Sequence, residues 1–275
     1  MNSYSKTKGW SWVPSLYFAE GLPYAFVMIV SVVLYKKLNI SNTEIALYTS
    51  WLYLPWVIKP LWSPFVDIIK TKRYWIVLTQ LVIGASLAGV ALTIPTTNAL
   101  QYTLVFFWLM AFSSSTHDIA ADGFYMLGLS SHDQSWFIGI RNTFYRFAIL
   151  FGQGIIVIIA GQLENITGNL KLAWSLVFGI LSGLFIILAA YHKWALPRPE
   201  NDQEEFNIAK EDVVKEYFEI IKAYFKKPQI LLIVLFILLY RFGEAQLVKI
   251  APLFMLDSYE SGGLGLSTSE YGFIY

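Results

Sequence analysis

The stretch Ser115-Thr116-His117-Asp118-Ile119-Ala120-Ala121-Asp122 sets an imidazole and two carboxylates within two helical turns. It is bracketed by the apolar run 104–112 and by Met126-Leu127-Gly128-Leu129. Asp118 and Asp122 stand one turn apart and so share a helix face. Such groups can pair with cations, grip a polar ligand or exchange protons. An imidazole, with its ordinary pKa of about 6.5, is suited to proton exchange, although a single His in a helix also serves as a packing residue. Further ionisable side chains lie in equally apolar surroundings: Glu20, Lys59, Arg141, Arg146, Arg241, Glu244 and Lys249.

The elements that carry these groups are read from composition and periodicity. The 275 residues are 56% hydrophobic and only 14% charged, with mean hydropathy +0.52. A soluble domain carries about 25% charged residues, so the chain reads as an integral membrane protein. Its net charge of +1 gives no reason to expect a nucleic-acid partner, and the absence of Cys removes disulfide and thiolate chemistry. A membrane helix needs about 20 mostly apolar residues. Six complete stretches qualify, at 12–35, 44–66, 74–94, 101–129, 136–162 and 172–191; a seventh runs over 228–253 and an eighth begins near Thr268. Lys70, Lys72, Arg73, Lys193 and Arg198 gather at one set of ends with Lys6 and Lys8, whereas Lys36, Lys37 and Lys171 stand opposite. The bias toward positive charge on the inner side places the N-terminus in the cytoplasm. The charged stretch 193–227 reads as a cytoplasmic linker. Within it Val213, Val214, Tyr217, Ile220, Ile221 and Tyr224 recur at helical spacing, as in a helix lying on the membrane surface or packed on the helix ends.

Phe18-Ala19-Glu20-Gly21 is echoed after the linker by Phe242-Gly243-Glu244-Ala245, and Ser41 with Glu44 by Ser267 with Glu270, each pair a capping-box pattern. Parallel six-helix repeats are the plan of major facilitator transporters. The expected organisation is therefore a six-helix half at 1–192, a linker at 193–227 and the start of a second half at 228–275, so that the chain reads as a fragment. A charged group at the bilayer centre costs about 2.5–3.5 kcal/mol, so it should face a partner or a wet cavity. Counting depth from the hairpin at 130–135 sets Asp122 level with Arg141 at about 8–10 Å, and Asp118 level with Arg146 at about 15–17 Å. Two Asp–Arg pairs are expected, which either lock helices together or line a cavity. Arg241 and Glu244 can pair within their own helix. Glu20, beside Ala19, Gly21 and Pro23, is either a proton carrier or a neutral hydrogen-bonding group. Lys59 reads as snorkelling to the interface. Asp67 with Lys70, Lys72 and Arg73 reads as a gate latch or simply as the orientation signal. Tyr17, Phe18, Tyr24, Phe124, Tyr125, Phe144 and Tyr145 stack on sugars or pack the core.

Five segments resemble the AmpG-type muropeptide permeases, and they occur in that family's order: Phe18-Ala19-Glu20-Gly21-Leu22-Pro23; Lys59-Pro60-Leu61-Trp62-Ser63-Pro64-Phe65-Val66-Asp67; Ser115 to Asp122; Tyr145-Arg146-Phe147; and Tyr240-Arg241-Phe242-Gly243-Glu244-Ala245. Related acetyl-coenzyme A transporters share much of the pattern. His117 stands where the permeases carry Gln, and Glu20 where they carry a small residue. The resemblance implies an all-α membrane bundle of the major facilitator type, multi-pass in the bacterial inner membrane and monomeric at full length. It further implies proton-coupled uptake of anhydromuropeptides or similar amino-sugar compounds, with no enzyme activity, cofactor or metal. Glu20, His117, Asp118, Asp122, Arg146, Arg241 and Glu244 are then the candidates for substrate or proton handling. Lys59, Asp67, Arg73 and Arg141 are the candidates for gating or structure. An acyl-coenzyme A carrier, an intramembrane hydrolase using His117 and Asp118, and a non-transporting sensor are the competing readings.

Overall fold

The computed structural model describes residues 9–199, 201–202, 218–219, 222–223 and 226–274, and these are helical, with no strand among them. The helices are α1 (Val13–Lys37), α2 (Asn42–Trp51), α3 (Leu54–Ile58), α4 (Ser63–Ile68), α5 (Lys72–Thr93), α6 (Ala99–Gly128), α7 (Ser131–Thr167), α8 (Leu170–Ala195), α9 (Ile230–Leu256) and α10 (Thr268–Phe273). Among the described residues α1, α5, α7, α8 and α9 are long and apolar enough to cross a membrane. At 30 residues, α6 is about 45 Å long and also exceeds the apolar thickness of a bilayer. The expected all-α membrane fold is what the chain adopts. The amphipathic pattern at 213–224 lies outside the described residues.

Polar residues start and stop the helices where the sequence changes character. Ser41, Thr71, Ser130 and Asn169 each accept a backbone N–H of the turn they open, and Gly168, at φ 60, takes the left-handed conformation that ends α7. The Ser267–Glu270 capping box is complete. In its counterpart, Ser41 likewise accepts from the Glu44 N–H and donates its hydroxyl to the Glu44 carboxylate. The second predicted span is not one helix. Pro55, Pro60 and Pro64 divide it into α2, α3 and α4, with a 3-10 turn at Lys59–Leu61.

In the packing, α5 lies along α6 and α8, and α1 lies along α7 and α6. Gly21 makes the α1–α7 contact possible: a Cβ there would sit 2.6 Å from the Tyr145 carbonyl oxygen. Just beyond, α1 and α7 each contain a π-helical turn, Phe26–Val30 and Phe151–Ile155. Two apolar cores result. One contains Leu22, Phe26, Leu87, Phe107, Trp174 and Phe178; the other contains Trp12, Leu16, Ile76, Phe124 and Phe137. Between them in sequence register, Glu20, Gln80, Ser113, Ser114, Ser115, His117 and Asp118 form a buried polar layer.

Candidate functional site

Three helices and one turn converge on the polar layer. Glu20 comes from α1, His117, Asp118 and Asp122 from α6, Arg141 from α7 and Lys59 from the 3-10 turn. One ligand atom each of Glu20, His117 and Asp118 lie within 4.8 Å of one another, and all three residues are buried. Of the two expected Asp–Arg pairs, one forms: Arg141 Nη2 lies 3.0 Å from Asp122 Oδ1. Tyr17 donates its hydroxyl to the same oxygen at 3.1 Å, and the Arg141 guanidinium sits over the rings of Tyr17 and Tyr125, 4.6 and 5.0 Å from their centroids. These two tyrosines therefore hold a cation, and Phe18 packs on Phe147 and Phe151.

The second expected pair does not form. Asp118 pairs with Lys59, at 3.5 Å, rather than with Arg146. The break at Lys59-Pro60 turns the lysine toward α6, and Trp62 anchors the same turn by donating to Thr116 at 3.2 Å. Snorkelling is thus not what Lys59 does. Arg146 has no ion pair among the described residues. It lines an open cavity of ≈ 680 Å³ with Asn142, Tyr145, Ile149 and Leu150 of α7 and Glu244 of α9. The Arg241 side chain lies outside the described residues, and with it the expected Arg241–Glu244 pair. Asp67 pairs with Lys72, and Arg73 donates to the Lys193 carbonyl. Asp202 accepts the backbone N–H groups of Lys72 and Arg73, at 2.7 and 3.2 Å, and so caps α5.

Within the cluster, Glu20, Asp118 and Asp122 face two cations. Lys59 serves Asp118 and Arg141 serves Asp122. Glu20 has no ion pair among the described residues, and its Oε2 is buried without a hydrogen-bond partner. Three carboxyls against two cations leave Glu20 without a counter-charge, and a single proton there balances the cluster. Glu20, His117 and Asp118 are also of the types that ligate a metal. Lys59, 3.5 Å from Asp118 Oδ2, competes with a metal ion for that carboxylate.

Sequence reasoning missed a set of uncharged partners. Gln80 Nε2 lies 2.9 Å from His117 Nε2, and Gln80 Oε1 lies 3.0 Å from His192 Nδ1. The other nitrogen of His192, Nε2, lies 3.0 Å from Ser15 Oγ. Among the described residues His117 Nδ1 has no hydrogen-bond partner. The available signal was a Gln in the middle of an otherwise apolar span.

Known proteins place this arrangement in context. A transporter named AmpG 4 from Rickettsia conorii is 24% identical over 93% of this chain and 62% of its own length. The anhydromuropeptide permease of Escherichia coli K12 is 24% identical over 94% of this chain and 49% of its own length. The chain thus spans about half to three-fifths of the length of these relatives, and they bear out the resemblance carried by the five segments. The sequence profile of the Major Facilitator Superfamily matches residues 15–275, nearly the whole of this helical chain, which belongs to that superfamily.

Proposed function

We propose that the chain supplies the six-helix half (1–192), the linker (193–227) and the opening of the second half (228–275) of a proton-coupled importer. Its cargo would be anhydromuropeptides or similar amino-sugar compounds, crossing the bacterial inner membrane. The observation that carries the proposal is the uncompensated carboxyl of Glu20, buried next to two carboxylates that each have a cation. A proton from the gradient loads Glu20, and its release on the inner side resets the site. Arg146 grips the carboxylate of the peptide part from within the cavity. Glu244 shares that cavity, and this balance of charge suits a cargo with a carboxylate and an amine better than the several phosphates of coenzyme A.

With the N-terminus inside, the Lys36 end of the bundle faces outward. There α9 is held by Asp257 to Lys36 and Asn42, and by Lys249 to Thr49. Farther from that end along α9, Glu244 opens onto the cavity. This supports an inward-facing state from which the two halves rock about the polar layer.

The test is uptake of labelled anhydromuropeptide by cells that lack their own permease and express the full gene product. Accumulation is expected, and both an uncoupler and Glu20→Gln are expected to lower it to the background of cells without the gene. No uptake by membrane-inserted protein discards this cargo. Uptake that survives Glu20→Gln and still collapses with the uncoupler moves the proton to another group.

A further inference from the structure

Two buried histidines on different helices share one glutamine. His117 on α6 and His192 on α8 are both fully buried, as is Gln80 on α5 between them. An amide has one end that accepts and one that donates. If Gln80 accepts from His192 Nδ1–H, its NH2 donates to His117 Nε2, so His117 must carry its proton on Nδ1. Both rings are then Nδ1–H tautomers. If the amide turns over by 180°, its oxygen accepts from His117 Nε2–H and its NH2 donates to His192 Nδ1. Both rings are then Nε2–H tautomers. Mixed pairs leave a buried donor facing a donor or an acceptor facing an acceptor, at a cost of about 1–3 kcal/mol.

Both ends of this chain of hydrogen bonds can follow the switch. At one end the unpartnered atom is His117 Nδ1, and a ring nitrogen of His117 lies within 4.8 Å of Glu20 and Asp118 oxygens. At the other end, Ser15 Oγ lies 3.0 Å from His192 Nε2 and 3.2 Å from the Trp12 carbonyl. Its hydroxyl therefore donates to a bare Nε2, or turns to Trp12 and accepts from Nε2–H.

We propose that Gln80 holds His117 and His192 in the same tautomer, and that this linked pair reports the protonation of Glu20 to Ser15. There the start of α1 meets the end of α8. With Glu20 ionised, His117 Nδ1–H faces the carboxylates. With Glu20 protonated, its O–H closes the remaining gap to a bare Nδ1, with which it has no hydrogen bond in this structure, and both rings become Nε2–H. Each imidazole keeps one N–H and Gln80 keeps both amide protons, so the two states differ by one proton, on Glu20. The charged groups around Glu20 are Asp118 and Asp122 of α6, Lys59 of the 3-10 turn and Arg141 of α7; His117 is faced in addition by His192 of α8. The transmission step rests on the proton role proposed for Glu20, but the locking of the two rings does not.

The chain has three histidines, so nitrogen NMR of the 15N-histidine-labelled full chain in lipid nanodiscs resolves each ring, with exposed His132 as the reference. As pH rises through the range in which the protein stays folded, both buried rings are expected to pass from Nε2–H to Nδ1–H at one midpoint. Glu20→Gln, which removes the titrating proton, is expected to abolish the pH-dependent switch and to leave the two rings in one shared tautomer. In Gln80→Met, close in volume, His117 still responds to pH and His192 no longer follows it. The proposal is overturned by rings in opposite tautomers, by separate midpoints, by a doubly protonated ring, by no switch, or by a switch that persists in Glu20→Gln. The readout needs no transport. Linked rings in a protein whose uptake ignores Glu20 would retain the relay and discard the coupling role. Independent rings in a protein whose uptake needs Glu20 would do the reverse.

Discussion

The Lys36 end of the bundle and the polar layer use charge in opposite ways. At the Lys36 end, charged side chains join segments distant in sequence and find partners, while the unpartnered buried groups there, among the described residues, are the neutral hydroxyls of Ser175 and Ser269. Asp257 takes Lys36 and the Asn42 amide, the latter at 2.8 Å. Lys249 takes the carbonyl and hydroxyl of Thr49, each at 3.2 Å. Glu164 takes the Trp174 N–H at 2.7 Å and the Thr268 hydroxyl at 2.9 Å. In the polar layer the groups are more deeply buried, yet Glu20 Oε2 and His117 Nδ1 have no partner. A buried group without a partner costs about 1–3 kcal/mol, so a layer that served only to join helices would satisfy these atoms first. On the proposed function, the difference separates charges that staple the bundle from a buried carboxyl that takes up a proton.

The sharpest way to break this comparison is to remove Lys59. Asp118 would then be a buried carboxylate without its cation, a loss that costs about 3–5 kcal/mol for a fully buried pair. The Lys59 side chain is 36% exposed, and discounting for solvent screening leaves about 2–3 kcal/mol for Lys59→Met. The double variant Lys59→Met/Asp118→Asn should recover most of that loss. Denaturant unfolding in detergent measures both. If the double variant is as unstable as the single, the lysine acts by packing and the layer is ordinary structure.

A somewhat smaller effect is expected at Gly21, which sets how closely α7 approaches Glu20. An alanine gains about 1 kcal/mol of helix propensity. Its Cβ, however, would meet the Tyr145 carbonyl oxygen at 2.6 Å and the Ala148 methyl at 2.9 Å. Backbone on the opposing side cannot turn aside, so strain wins, and Gly21→Ala should lose about 1–2 kcal/mol net. A stabilised variant in the same unfolding assay would mean that the α1–α7 contact is looser than the structure has it.

The two regions were not equally legible in the sequence. Most helices of the fold were, because long apolar stretches, capping residues and Pro or Gly breaks are local signals. The Asp122–Arg141 pair was legible too, since depth can be counted outward from a tight hairpin. The count failed for Asp118, because the partner that wins is delivered by another segment, whose direction changes at Lys59-Pro60. Gln80 and Ser15 carry no charge, and His192 falls one residue past the apolar stretch 172–191. Their roles emerge only when α1, α5, α6 and α8 are brought together. At the Lys36 end, both Ser-x-x-Glu signals were visible, but the partnership of Asp257 with Lys36 and Asn42 joins α9 to the α1–α2 turn, and no spacing rule reaches across that distance.

The smallest effect belongs to that partnership. Asp257 follows the last turn of α9 and is half-buried. The hydrogen bond from Lys36, followed by that from Asn42, holds its carboxyl below the ordinary carboxylate value. A depressed folded-state pKa means that the stabilisation is fully present above the unfolded value of about 3.9 and is lost as pH falls through the folded one. Screening at this partly solvated position limits Asp257→Asn to below about 1 kcal/mol at neutral pH. The gap between wild type and variant should close on acidification below about pH 4 and narrow with added salt. A gap unchanged by both would show that the contact persists without its charge, and α9 would then be held at the Lys36 end by the apolar packing of Leu253 rather than by ionic staples.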